Sequence, residues 1–313
     1  MLDRIDKDLL PVVEAIPTFD LSDEVLPMAR EGMEQMAALA PVPTDSGVTW
    51  REGHIATAAG HDLKVVIYTP DAMTGELPAL LHIHGGGYVA GSHKISHIGN
   101  IGLAADLAAV IVSVDYRLAP ETVAPGSVED CYAALCWMVE QASALGIDTT
   151  RIAVRGESAG GGLAAALALL ARDRGGPALV HQNLIYPMLD DLTCITELPE
   201  HLGAFVWTAA SNRYGWRSLL GKAPGSADVS PYCAPARATD LAGLPSSFIG
   251  VGELDLFLPE DMDYARRLIL AGVRTEMHVY PGAFHGFDAQ ADAPVTIAMK
   301  RDATEALRRA LSG

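Results

Sequence analysis

The chain has 313 residues, half of them hydrophobic, and a formal charge of −17. That length is close to the size at which a single core stops growing, so one large domain with an appendage is expected. The acidity argues against nucleic acid and anionic membrane surfaces as partners, because both bind through clustered Lys and Arg, and it is read as a solubility device ahead of salt adaptation or attraction to cationic substrates.

The amino terminus, Met1-Leu-Asp-Arg-Ile-Asp-Lys-Asp, is charged and has no apolar core. It does not resemble a secretory signal, and a cytoplasmic location is the expectation. The stretch up to about Trp50 reads as helix and loop. From Val65 onward short β-branched runs alternate with longer helical patterns, which predicts a largely parallel sheet with helices on both faces. Strands are expected at 65–68, 80–84, 110–115, 152–155, 179–186, 247–251 and 275–280. Ser127 and Asp130 have the spacing of a capping box ahead of a helix with Val128, Cys131, Leu135, Met138 and Val139 on one face. The Ala/Leu-rich run Leu163 to Ala171 is the longest apolar stretch and is too short to span a bilayer. A second helix-and-loop segment runs from Pro187 to about Gly225. It carries Phe205, Trp207, Tyr214 and Trp216, and with residues 1–50 it could cover one end of the sheet. Pro259, Glu260 and Asp261 read as a helix start with acids at the positive end of the dipole. Cys131, Cys136, Cys194 and Cys233 have neither zinc-ligand nor redox-pair spacing, so they are read as reduced and structural.

Two motifs carry chemistry. Gly156-Glu157-Ser158-Ala159-Gly160 follows a predicted strand and opens a predicted helix, the setting of a nucleophile elbow. Its glycines allow a turn tight enough to hold Ser158 above the sheet, and the helix start offers unpaired amides to developing negative charge. His84-Gly85-Gly86-Gly87 ends another predicted strand and exposes successive amides, as an oxyanion hole requires. The other members of a triad should follow Ser158 in the order acid, then base. Asp255 stands just past a strand end, where catalytic groups in open α/β sheets collect, with Glu253, Glu260 and Asp261 as competing carboxylates. Among ten histidines, His54, His61 and His201 read as lying in polar loops and His278 on an alternating strand. His84 is expected to shape the oxyanion loop. His285 lies in a loop after the last strand, bracketed by Pro281-Gly282 and Gly286.

Six passages together resemble the hormone-sensitive-lipase-like family of bacterial carboxylesterases. They are His82-Ile-His-Gly-Gly-Gly-Tyr88, Asp115-Tyr-Arg-Leu-Ala-Pro-Glu121, Gly156-Glu-Ser-Ala-Gly-Gly161, Ile185-Tyr-Pro187, Ser230-Pro-Tyr232 and Phe284-His-Gly-Phe287. The resemblance implies the α/β-hydrolase fold, with a helical cap from residues 1–50 and 187–225 on a single domain. It implies Ser158, Asp255 and His285 as catalytic triad, and a non-catalytic residue at Glu253. The amides of Gly86, Gly87 and Ala159 would form the oxyanion hole, with Gly85 as the alternative donor. The family has Pro after the acid, whereas this chain has Leu256, and Pro259-Glu260 replaces the family's Asp-Glu pair.

The implied activity is hydrolysis of small, short-acyl esters through an acyl-enzyme, with no metal or organic cofactor and with a small-molecule ester as the binding partner. Relatives often dimerise, so a homodimer is the expected assembly. An amidase or thioesterase would use the same triad. A non-catalytic binding protein on this fold would have lost the histidine that stands here at 285. Trp207, Tyr214, Trp216, Phe257 and Phe284 are candidates for the end wall of an acyl pocket, the alternative being that they pack the covering segments onto the sheet.

Overall fold

The computed structural model describes residues 1–15, 19–71 and 75–312. Its centre is an eight-stranded sheet of β1 (Val48–Ala56), β2 (Asp62–Pro70), β3 (Leu77–Ile83), β4 (Val110–Val114), β5 (Ile147–Glu157), β6 (His181–Ile185), β7 (Ser246–Gly252) and β8 (Thr275–Tyr280), in the order β1-β2-β4-β3-β5-β6-β7-β8. From β4 across to β8 the neighbours are parallel. β2 runs antiparallel to both β1 and β4. The helices are α1 (Leu10–Ala15), α2 (Leu26–Leu39), α3 (His97–Leu107), α4 (Gly126–Glu140), α5 (Ala142–Leu145), α6 (Ala159–Asp173), α7 (Ala209–Leu220), α8 (Leu258–Leu270) and α9 (Pro294–Leu311).

Alternation along the strands divides the core between the two faces. Leu81, Val112 and Val154 point toward Leu135 of α4, Leu167 of α6 and Leu268 of α8. Their neighbours Leu80, Ile111 and Ala153 point to the other face, onto Ile101 and Ala104 of α3 and Leu307 of α9. α6 is buried continuously from Ala159 to Ala171, and its run of Gly and Ala lets the helix lie close to the sheet. This sets the turn at Ser158 rigidly, since α6 begins where β5 ends.

The predicted strands from Val65 onward all correspond to observed ones, with ends shifted by a few residues. The missed element is β1. Only Val48 and Ile55 are buried in it, and its other residues are polar or solvent-facing, as suits an exposed edge strand. The amino-terminal stretch therefore turns into strand at Val48, before Trp50, and His54 lies on this strand beside Asp62 rather than in a loop. The Ser127–Asp130 capping box does not form. α4 starts at Gly126 without a side-chain cap, and the buried Asp130 accepts hydrogen bonds from Arg117 and lies 2.9 Å from His61 Nε2. Pro259 opens α8 with Glu260 and Asp261 in its first turn, as expected, and both acids are buried. The four cysteines are free. Among the described residues no helix is long and apolar enough to cross a membrane.

Candidate active site

Ser158 stands between β5 and α6 with φ +56° and ψ −121°, a conformation that costs a non-glycine residue about 1–3 kcal/mol. The surroundings enforce it. The Ser158 amide donates to Ile185 O, and its carbonyl accepts from the amides of Gly162 and Met188. Any Cβ at Gly156 would run into the Gly160 carbonyl, and any Cβ at Gly160 into the carbonyls of Ile83 and His84. These close approaches explain the small residues on both sides of the serine.

His285 Nε2 lies 2.8 Å from Ser158 Oγ, and Nδ1 lies 2.9 Å from Asp255 Oδ2. All three side chains are buried. The second carboxylate oxygen, Asp255 Oδ1, accepts from the Phe257 amide at 2.9 Å, so the carboxylate is fixed from two sides. The three residues come from the ends of β5, β7 and β8, the carboxyl edge of the parallel strands. Of the competing carboxylates, Glu253 accepts from Gly282 N and pairs with Arg4 on the surface. Glu260 accepts from the amides of Leu189 and Asp190 and from Thr193 Oγ1, and burial pushes its carboxyl well above the usual range. Asp261 is raised by burial as well. The structure brings none of the three to His285.

The glycine loop lies against the serine. A Cβ on Gly85 would sit 3.4 Å from Ser158 Cβ. Gly86 and Gly87 have φ of +122° and +61°, and the Gly86 carbonyl turns away to accept from Val89 and Ala90. Among the described residues neither glycine's amide donates to a loop or turn carbonyl. Ala159 is the first residue of α6, so its amide has no acceptor within the helix. His84 is buried, stacks on Tyr116 at 4.3 Å and makes a 2.8 Å bond from Nδ1 to the Gly85 carbonyl. Burial holds its imidazole down to about 4, so it shapes the loop as a neutral ring.

Beneath the elbow, Glu157 bonds His82 Nε2 and Arg155 Nε. Burial alone would raise the Glu157 carboxyl, but the charges of His82 and Arg155 outweigh it and hold the group at about 2. Around the imidazole stand Tyr186, edge-on at 4.8 Å, and Phe257, perpendicular at 5.1 Å. Tyr186 has φ +36°, and its hydroxyl donates to Asp288 at 2.5 Å. Sequence reasoning gave Tyr186 no role, although the passage Ile185-Tyr-Pro187 had marked its position. The candidate wall aromatics separate. Trp216 is wholly buried against Tyr88 and faces no site, and Phe284 is buried against Phe205. Tyr214 reaches Asp23. Trp207 remains partly exposed beside Gly87 and His285.

A mostly parallel sheet with a serine on a strained strand-to-helix turn at its carboxyl edge is the α/β-hydrolase architecture. A family model described as the alpha/beta hydrolase fold matches residues 80–289. The chain is 38% identical over 232 residues to the carboxylesterase NlhH of Mycobacterium tuberculosis, covering 72% of this chain and 71% of that one. It is 35% identical over 293 residues to the esterase LipI of the same organism, covering 90% and 88%. A solved bacterial heroin esterase matches with a TM-score of 0.93 and 40% identity over 99% of both chains. The chain belongs to the hormone-sensitive-lipase-like carboxylesterases, serine hydrolases that act on ester bonds.

Proposed function

We propose that the protein hydrolyses small, short-acyl carboxylic esters through an acyl-enzyme on Ser158, with His285 as general base and acid and Asp255 as its orienting carboxylate. The observation that carries this reading is the buried hydrogen-bonded chain from Ser158 Oγ through the imidazole to Asp255 Oδ2, at 2.8 and 2.9 Å. His285 Nε2 takes the proton of Oγ as the oxygen attacks the ester carbonyl. The tetrahedral oxyanion is met by the amides of Gly86, Gly87 and Ala159. Its collapse expels the alcohol, which receives the proton from Nε2. Water, deprotonated by the same nitrogen, then releases the acid and restores the serine. Asp255 accepts from Nδ1 and keeps that proton-bearing nitrogen turned toward it.

On this reading the described residues ahead of β1, together with residues 187–225, form a cap over the site, while residues 48–50 belong to the sheet. Support comes from the bonds that join them: Thr208 to Asp20, Leu21 N to Ser211 Oγ, and Tyr214 to Asp23. The test is pre-steady-state hydrolysis of p-nitrophenyl acetate. A burst of one p-nitrophenolate per chain is expected, absent in Ser158→Ala. Equal steady-state rates for the two proteins would sink the assignment.

A further inference from the structure

Three consecutive residues of the 187–225 segment lie along three consecutive residues of the loop that carries the base. Phe205 packs on Phe284 at 5.8 Å between ring centroids. Val206 Cγ1 stands 3.8 Å from where a Cβ would lie on Gly286. Trp207 has its ring centroid 6.2 Å from that of His285. Between them is a tight turn, with the Trp207 amide donating to Phe205 O at 2.7 Å and Val206 at φ +61°. A β-branched residue in the left-handed region is a strained choice, held only where the surroundings over-determine it. Here they do: the indole N–H donates to Asn212 Oδ1 at 3.3 Å, and the buried Asn212 is held in turn by Cys194 Sγ. The outcome is that the Cζ2, Cη2 and Cζ3 edge of the indole lies directly over Gly87, where any side chain on the glycine would collide with it.

We propose that Trp207 sets the acyl length the enzyme accepts, and that the left-handed turn at Val206 is the positioning element that directs the indole onto Gly87, where Asn212 anchors it. The proposal rests on the triad reading above. In that reading the leaving oxygen must lie beside His285 Nε2 to receive its proton, and the carbonyl oxygen faces the amides of Gly86 and Gly87. The acyl chain takes the remaining direction from the trigonal carbon. Trp207 presents its edge to Gly87, and at 6.2 Å its ring centre stands farther from the imidazole than Tyr186 or Phe257, so the acyl chain is the substituent that meets it. Trp216 and Phe284, buried behind the site, set no such limit.

The experiment compares kcat/KM over p-nitrophenyl esters from acetate to decanoate, and over acetates of alcohols of increasing size. Trp207→Ala should raise the octanoate-to-acetate ratio by about fourfold for each methylene that gains a contact, roughly 10- to 100-fold over two or three. The alcohol series should shift by less than about threefold, within the range of an unspecific packing change. Val206→Gly should move the acyl ratio in the same direction by a smaller factor. The double variant should go no further than Trp207→Ala alone, because both act through one indole. If Trp207→Ala does not fold, Trp207→Phe is read by the same ratio and should give a partial shift. An unchanged acyl ratio in a folded variant, a shift confined to the alcohol series, or additive effects of the two substitutions would overturn the proposal. Failure of the triad reading looks different: Ser158→Ala would then hydrolyse acetate as fast as the wild type.

Discussion

Replacing Asp255 by Asn should abolish turnover while leaving the fold intact, and the geometry dictates why. Asp255 Oδ1 accepts from the Phe257 amide at 2.9 Å, and Oδ2 faces His285 Nδ1 at 2.9 Å. An amide placed in the same pocket keeps its oxygen toward the Phe257 N–H, because its NH₂ cannot accept. The NH₂ is thereby turned onto Nδ1, which must then accept, and the imidazole proton moves to Nε2, facing Ser158 Oγ. A base already protonated at that nitrogen cannot take the serine proton. A loss on the order of 10⁴ in kcat follows, with KM little changed. Glu253→Gln, which disturbs only a surface pair and one loop amide, should stay within about tenfold. Steady-state hydrolysis of p-nitrophenyl acetate, with thermal unfolding as the fold control, makes the comparison. A folded Asp255→Asn that keeps more than a tenth of the wild-type kcat, or a larger loss in Glu253→Gln, would refute the assignment of the acid.

Two other expectations concern stability and the amino terminus. Burial holds the imidazoles of His84 and His181 down to about 4, below the ordinary histidine value, so the unfolded chain binds their protons first as pH falls. Their contribution is complete above about pH 6.5 and is lost as pH falls toward 4. Each should account for about 2 kcal/mol of lost stability between pH 7 and 5. His181→Gln should shrink that loss by this amount in urea titrations, and equal losses in the two proteins would contradict the linkage. Residues 1–15 tie down the base loop: Asp6 N donates to Gly282 O, and Ile5, Leu9 and Val12 are buried in the cluster that holds Phe284 and Phe287. Deleting them should cost roughly 5 kcal/mol from the three lost side chains and lower kcat with it. A truncated protein of full stability would show the contacts to be dispensable.

The parallel strands were legible because short apolar or β-branched runs, such as Val110–Val114 and residues 80–83, stand between stretches of helical spacing. β1 was not, since an edge strand buries only Val48 and Ile55 and hides its period among charges. Asp130 shows the limit of local pattern: the Ser-x-x-Asp spacing is that of a cap, but Arg117 and His61 claim the carboxylate. Glu260 and Asp261 do stand in the first turn of α8, but their burial is a tertiary feature that a helix-start pattern does not encode. In the site, motifs singled out Ser158 and His285, and strand-end position with the family resemblance singled out Asp255; the three lie in hydrogen-bonding reach of one another. The residues around them were not legible. Val206 and Tyr186 owe their importance to positive φ angles that no apolar pattern encodes, and Trp207 could not be told from Trp216 until one proved partly exposed and the other wholly buried.

The central claim is that Ser158 is an activated nucleophile, and covalent labelling tests it most directly. Incubation with diethyl p-nitrophenyl phosphate should add one diethylphosphoryl group per chain and abolish esterase activity in step with the labelling. Peptide mapping should place that group on Ser158, and His285→Ala should slow its incorporation by orders of magnitude. A label on any other residue, or full inactivation without a covalent adduct, would contradict the account.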